Sequence, residues 1–214
     1  MIFLCYTTKG SEEDGNVGRR NKKATMSFVT ETARTYDPDP AHNEQVTALA
    51  LALFDGLGIL HGYGPRERHL LEIAGRLHDI GWSRAVTGKH HKLSRDMILD
   101  LDIPGLDRQD QMSCALVARY HTKTLPDESR HRRFASLDLR GRERVEWLAG
   151  ILRVADGLDC THANAVRGLS CEVGGRAITI RLEVTGDCRT EVERATQKQD
   201  LLVRKAGRTI LFRC

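Results

Sequence analysis

The chain lacks paired cysteines. Its six cysteines, Cys5, Cys114, Cys160, Cys171, Cys188 and Cys214, are scattered, and none stands in a CxxC pair. That spacing argues against a thiolate zinc clip and against a dithiol redox motif. The chain also lacks any run approaching the roughly 20 apolar residues of a membrane span. Its apolar opening, Met1-Ile2-Phe3-Leu4-Cys5-Tyr6, has no basic flank and is shorter than the roughly 7–15 residue core of a secretory signal. A cytoplasmic protein with reduced thiols and no membrane partner is the expectation. Long basic runs are missing too. The stretch Arg130-His131-Arg132-Arg133 is short and reads as a solvated loop. The net charge of +4 suits an anionic ligand but is too weak to imply nucleic acid. No internal repeat is evident.

What is present is enough for a real core. A 40% apolar fraction over 214 residues allows one domain, or one domain with a small appendage. Residues 1 to 33 are polar and unpatterned, with Gly10, Gly15 and Gly18 breaking a mixed-charge stretch, and are expected to form a flexible arm, with a strand or short helix around Met26 to Val29 as the alternative. A helical region is expected over 34–167. Asp39 and Pro40 suit the cap and first turn of a helix carrying Val46, Leu49, Ala50, Leu53 and Phe54 at helical spacing. Further helices are expected over about 65–78, from His90 or His91 to Leu99, over 107–121 and over 142–156. Beyond Gly168 the pattern changes. Ile178, Ile180 and Leu182 alternate with Thr179 and Arg181, which predicts a hairpin. A polar helix near 189–199 and a second hairpin from 201–204 and 209–212 would make residues 168–214 a ββαββ-like appendage.

Potential metal ligands recur through the helical region: His42, the pair His78-Asp79, His91, His121 and Asp156. Each sits at or near a helix end, and all offer nitrogen or oxygen. That donor set suits a two-metal hydrolytic centre better than a structural clip. Asp156 follows Leu152 by four on a face of Leu, Val and Ala. A buried carboxylate costs several kcal/mol unless paired or metal-bound. Taken singly, His42 reads as a helix-start residue and His121 as a satisfied half-buried histidine. Together they suggest one polar focus inside a bundle.

The ordered set resembles the HD superfamily of metal-dependent phosphohydrolases. More narrowly, Leu77-His78-Asp79-Ile80-Gly81, His90-His91-Lys92, Tyr120-His121-Thr122-Lys123 and Leu152-Arg153-Val154-Ala155-Asp156-Gly157-Leu158-Asp159 resemble the C-terminal HD module of the exopolyphosphatase / guanosine pentaphosphate phosphohydrolase (Ppx/GppA) family. The resemblance covers roughly residues 34 to 214. It implies a mainly α protein: an HD helical bundle with a small C-terminal α+β appendage. Larger family members carry an N-terminal actin-like ATPase-fold region with the polyphosphatase active site, and nothing here has its length or glycine-rich phosphate loops.

The resemblance also implies a division of ligands. One divalent ion would take His42, His78, Asp79 and Asp156; the second would share Asp79 and take His91 and His121. Two such ions about 3.5–4 Å apart can hold a bridging hydroxide and polarise a phosphoryl oxygen. Fe, Mn, Mg, Ni, Co and Zn all fit mixed imidazole and carboxylate ligands. His90 competes with His91, which is favoured because it occupies the matching motif position. Asp79 and Lys123 are the candidate catalytic residues, and Lys92, Lys123 and Arg153 the candidate phosphate-binding cations. Asp159 is given an orienting role at most.

The expected function is metal-dependent hydrolysis of a phosphate ester or nucleotide. The alternative is a non-catalytic module that binds polyphosphate or a nucleotide, or that regulates a catalytic partner. A structural protein with a vestigial site is the third reading. A phosphate-containing small molecule or polyphosphate is the expected partner. The β-rich edges of the tail make a homodimer the candidate assembly.

Overall fold

The computed structural model describes residues 10–214. The protein is mainly helical with a small three-stranded sheet near its C-terminus, as expected. The helical part comprises α1 (Gly10–Tyr36), α2 (Pro40–Gly56), the short α3 (Gly58–His61), α4 (Pro65–Leu77), a 3-10 turn over Ile80–Arg84, α5 (His90–Asp100), α6 (Arg108–Arg119), the short α7 (Arg132–Ala135) and α8 (Leu139–Gly157). No helix among the described residues is long and apolar enough to cross a membrane.

Local sequence explains the helix starts. The Asp39 carboxylate accepts the backbone N–H of His42 at 3.2 Å, and Pro40 occupies the first turn of α2. Asp138 likewise accepts from Gly141 at 2.7 Å and caps α8. The apolar stripe of α2 is then fully shielded, through Val46, Leu49, Ala50 and Leu53. Helix α8 is the central element. Val145, Leu148, Ala149, Ile151, Leu152, Val154 and Ala155 are all fully buried, and the helix packs against α2, α4 and α6. Burying a side chain of the Leu or Ile class contributes about 1.5–3 kcal/mol, so α8 contributes substantially to the core.

Two expectations are corrected here. The first concerns the flexible arm. Residues 1–9 lie outside the described residues, but α1 runs unbroken through residue 33. Thr25, Val29 and Thr32 line up on one face and are buried against α4 and the 3-10 turn. The Thr25 hydroxyl lies 2.6 Å from the Pro104 carbonyl. A helix with one short apolar stripe is hard to read in a sequence rich in charge and glycine, because packing rather than propensity stabilises it.

The second concerns the appendage. Strands β1 (Val166–Val173) and β2 (Ala177–Val184) form the expected antiparallel hairpin, with Ile178, Ile180 and Leu182 turned inward. Helix α9 (Arg189–Lys198) follows. Residues 201–204 are not a strand, however. They belong to α10 (Asp200–Ala206), and the single strand β3 (Thr209–Arg213) pairs parallel to β2, giving the order β1-β2-β3. Leu201 and Leu202 are both fully buried. A strand with one solvated face could bury only one of two successive residues; a helix lying against α8 buries both.

The sulfurs of Cys188, at the start of α9, and of Cys214 lie against each other. Cys114, Cys160 and Cys171 are free.

Candidate metal centre

Two glycines let the elements that build the site approach one another. A Cβ on Gly81 would lie 2.2 Å from the His90 carbonyl oxygen and 2.5 Å from the Ser94 nitrogen. The bare backbone lets the first turn of α5 press onto the 3-10 turn, with the Gly81 N–H donating to Ser94 Oγ at 2.9 Å. This contact is what constrains position 81 to glycine. A Cβ on Gly157 would lie 2.7 Å from the Ala195 Cα. Its absence allows α9 to lie directly on α8 and brings the appendage to the site.

The acidic and imidazole side chains meet at this end of the bundle. His78 Nε2 lies 3.6 Å from Asp79 Oδ2 and 4.0 Å from Asp156 Oδ1. His42 Nε2 is 3.5 Å from Asp156 Oδ1. On the other side, His121 Nε2 and His90 Nε2 each lie 3.4 Å from Asp79 Oδ1. Thus the two oxygens of Asp79 face two separate groups. Two sets, His42/His78/Asp156 and His78/Asp79/His121, each keep their donor atoms within 4.8 Å of one another and could hold a metal ion.

The far side of the rings sets their orientation. His78 Nδ1 donates to the Gly75 carbonyl at 2.6 Å and His121 Nδ1 to the Ala118 carbonyl at 2.6 Å. His42 Nδ1 donates to Asp159 Oδ2 at 2.8 Å. In all three the Nε2 lone pair is thereby turned inward, the tautomer a metal ligand requires. His90 differs: its Nδ1 has no partner, and its ring stacks on Trp82 at 4.1 Å. Within the cluster, His78 Nε2 and Asp79 Oδ1 are shielded from solvent without a hydrogen-bond partner. Buried polar atoms are rarely left so. Two orphaned donor atoms aimed at a common centre fit a divalent cation.

Charge at the site follows from burial. Desolvation alone would raise the Asp79 carboxyl, but the surrounding imidazoles of His78, His121, His90 and His42 bring it down to about 2. Burial holds His121 well below the usual imidazole value, and does the same less strongly for His90. At neutral pH Asp79 is a carboxylate.

The site opens into a cavity of about 800 Å³, within the range of small-molecule pockets. Asp79, His121, Asp156, Lys123 and Arg153 line it, as do Trp82 and His90. Three candidates behave differently from expectation. His91 does not line the cavity, and His90 takes the position beside Asp79. Lys92 is exposed and also lies outside it. Arg153 lines the cavity, but its guanidinium is engaged: it donates to the Tyr120 carbonyl at 3.2 Å and the Lys198 carbonyl at 3.3 Å, and pairs with Asp200 at 2.7 Å. It therefore clamps the junction of α9 and α10 onto α8.

Sequence reasoning missed Lys198, Arg194, His162 and Trp82. The Lys198 ammonium contacts Asp156. Burial first, and then the charge of Arg153, lower it to about 8. The His162 ring stacks on His42 at 3.9 Å and its Nδ1 donates to Asp39 at 2.6 Å. Lys198 and Arg194 sit on a polar helix distant in sequence from every motif, so no periodicity marks them. Trp82 carried a signal, as a lone aromatic just after Gly81.

The fold and site define a mainly helical protein with a buried histidine-aspartate cluster able to bind metal. A family profile described as Ppx/GppA phosphatase, domain III, matches residues 25–200, and the chain belongs to that family. No curated protein gives a significant match to the chain.

Proposed function

We propose that the protein is a metal-dependent phosphohydrolase of the HD type, acting on a phosphate ester or nucleotide through a binuclear centre. The observation that carries this reading is the pair of groups around Asp79, whose two oxygens face different imidazoles. His42, His78, Asp79 and Asp156 form the donor set for one ion. Asp79, His90 and His121 form the set for the other, with His90 replacing His91. Bound divalent ions would supply Lewis acidity toward the phosphoryl group and activate water for attack.

The chain's own groups do the rest. The imidazoles of His78, His121 and His42 hold their donor atoms in place through the Gly75, Ala118 and Asp159 contacts. Lys123, Arg194 and Lys198 line the cavity and offer cations to phosphate oxygens. Lys198 contacts Asp156, a carboxylate that a bound metal ion would also use; an ammonium displaced from it would be free to pair with phosphate.

Domain III of a phosphatase family does not by itself establish turnover, so a second reading stands: a module that binds a phosphate ligand without hydrolysing it. The family match and the cation-lined cavity support that reading equally. The complete donor set favours catalysis.

Elemental analysis of anaerobically purified protein, paired with a phosphate-ester screen on the same batch, tests the proposal. Bound transition metal and chelator-sensitive hydrolysis, lost in Asp79→Ala with helicity retained, are expected. Unchanged turnover in Asp79→Ala eliminates the centre, and ligand binding without turnover supports the second reading.

A further inference from the structure

The start of α9 is paired with a second cysteine outside the cavity. Strand β3 runs parallel to β2, with Arg213 opposite Arg181, and carries Cys214 along the sheet. Gly186, at φ 87°, turns the chain back after β2, and Cys188 opens α9 two residues later. The Cα atoms of Cys188 and Cys214 are 7.6 Å apart, with their sulfurs in contact. Cys188 is buried and Cys214 is exposed. One thiol is thus sheltered, and its partner is open to a reagent in solution. Neither lines the cavity of the metal centre.

A chain of contacts leads from this pair to the site. The Cys188 carbonyl accepts the Val192 N–H at 3.0 Å, so the residue is part of the first turn of α9. In that turn the Thr190 carbonyl lies 3.7 Å from Cys160 Sγ, and the buried Glu191 carboxylate accepts the Thr161 hydroxyl. Cys160 and Thr161 directly follow Asp159, which holds His42. Further along α9, Arg194, Gln197 and Lys198 line the cavity. A displacement of the first turn of α9 therefore reaches both the support of His42 and the cavity cations.

Cysteines whose Cα atoms stand more than about 7 Å apart are bridged only with backbone movement. Forming the bond draws the start of α9 toward β3, and breaking it lets the two separate. The bond also closes a loop of α9, α10 and β3, which restricts local opening of that segment. An exposed sulfur makes such a bond accessible to exchange with small thiols.

We propose that Cys188 and Cys214 are a reversible dithiol–disulfide couple that sets the order of α9 and of the turn carrying Asp159. The oxidant is a small-molecule disulfide. Cys214 loses its proton to water and attacks one sulfur of that reagent; a mixed disulfide forms and one small thiol leaves. Cys188 then loses its proton and attacks the Cys214 sulfur. The mixed bond breaks, the protein disulfide forms and the second small thiol leaves. Two electrons pass from the protein thiols to the reagent, and each departing thiolate takes up one proton. Excess small thiol drives the same steps in reverse. The couple rests on the metal-centre reading only for what it regulates, and its test is run without metal.

The full chain, stripped of metal by a chelator, is equilibrated in glutathione buffers from reducing to oxidising. Alkylation in denaturant and peptide mass spectrometry then read each cysteine. Cys188 and Cys214 are expected to become protected together as oxidised glutathione rises, and to recover together on reduction. Cys114, in the core, stays open to alkylation throughout. Amide hydrogen exchange on the same samples is expected to be about tenfold faster or more in the reduced form over residues 159–164 and 189–194, with α4 unchanged. Cys214→Ser, at an exposed position, keeps the reduced pattern in every buffer. Independent protection of the two cysteines, a bond between chains in place of one within the chain, or equal exchange in the two forms would overturn the proposal.

Discussion

Asp159 accepts the Nδ1–H of His42 at 2.8 Å and is itself almost fully buried. It also accepts the backbone N–H of Asn164 at 3.0 Å. The carboxylate thus ties the turn after α8 to the first turn of α2 and fixes which nitrogen His42 turns toward Asp156. Partners of this kind are worth about 10–100-fold in metal affinity. Asp159→Ala is expected to weaken metal binding by about that factor, measured by competition with a chelating dye, while the circular dichroism of the helices stays close to wild type. Unaltered affinity would remove Asp159 from the site.

The adjacent imidazoles of α5 give a sharper test. His90 lies 3.4 Å from Asp79 Oδ1 and 3.2 Å from His121 Nε2, whereas His91 lies outside the cavity. His90→Ala is expected to lower the metal content of the purified protein, and His91→Ala to leave it unchanged. Elemental analysis of the two variants side by side checks this. The reverse pattern would restore the ligand assignment read from the sequence motif.

Gly81 should tolerate no side chain. A methyl group there meets the His90 carbonyl at 2.2 Å and the Ser94 nitrogen at 2.5 Å, and both are backbone atoms that cannot swing aside. Overpacking of this kind costs about 1–3 kcal/mol, occasionally more. Gly81→Ala is expected to lower the denaturation midpoint accordingly and to weaken metal binding, because α5 carries His90 away from Asp79. A variant with wild-type stability and wild-type metal content would contradict the close approach.

His61 supplies a pH dependence remote from the metal centre. Its Nε2 donates to the Phe54 carbonyl at 2.9 Å and its Nδ1 accepts the Tyr63 N–H at 2.9 Å. The second contact requires the neutral ring, because a protonated Nδ1 cannot accept; the first survives protonation. Burial lowers its pKa below the ordinary 6.5. The unfolded chain then binds more protons than the folded chain just below pH 6.5, so stability rises with pH through that window. The contribution is complete above pH 6.5 and is lost as pH falls toward the depressed folded value. Urea midpoints at successive pH values should decline more steeply from neutral to mildly acidic conditions in wild type than in His61→Gln. Parallel slopes would show that His61 does not contribute.

Much of the bundle was legible because its helices obey one rule. Capping residues such as Asp39 and the stripe from Val46 to Leu53 mark α2 directly, and the run from Val145 to Ala155 marks α8. Helix α1 was not legible. Its buried face amounts to Thr25, Val29 and Thr32, too little apolar surface to stand out from a polar stretch. The short segment 201–204 was misread as strand because four apolar-rich residues show no reliable period. Only the packing of Leu202 against Gly150 makes it helical.

The sequence by itself determined the donor chemistry: imidazoles and carboxylates at helix ends, without paired thiols, on faces otherwise apolar. It also determined that His42, His78, Asp79, His121 and Asp156 were candidates for one focus. Tertiary structure decided the rest. Neighbouring residues on a helix point about 100° apart, so only the seating of α5 on Gly81 selects His90 over His91. Only the contact of α9 with Gly157 brings Lys198 to Asp156, across 41 intervening positions of chain. Such choices depend on how two surfaces meet, and a linear pattern carries one surface at a time.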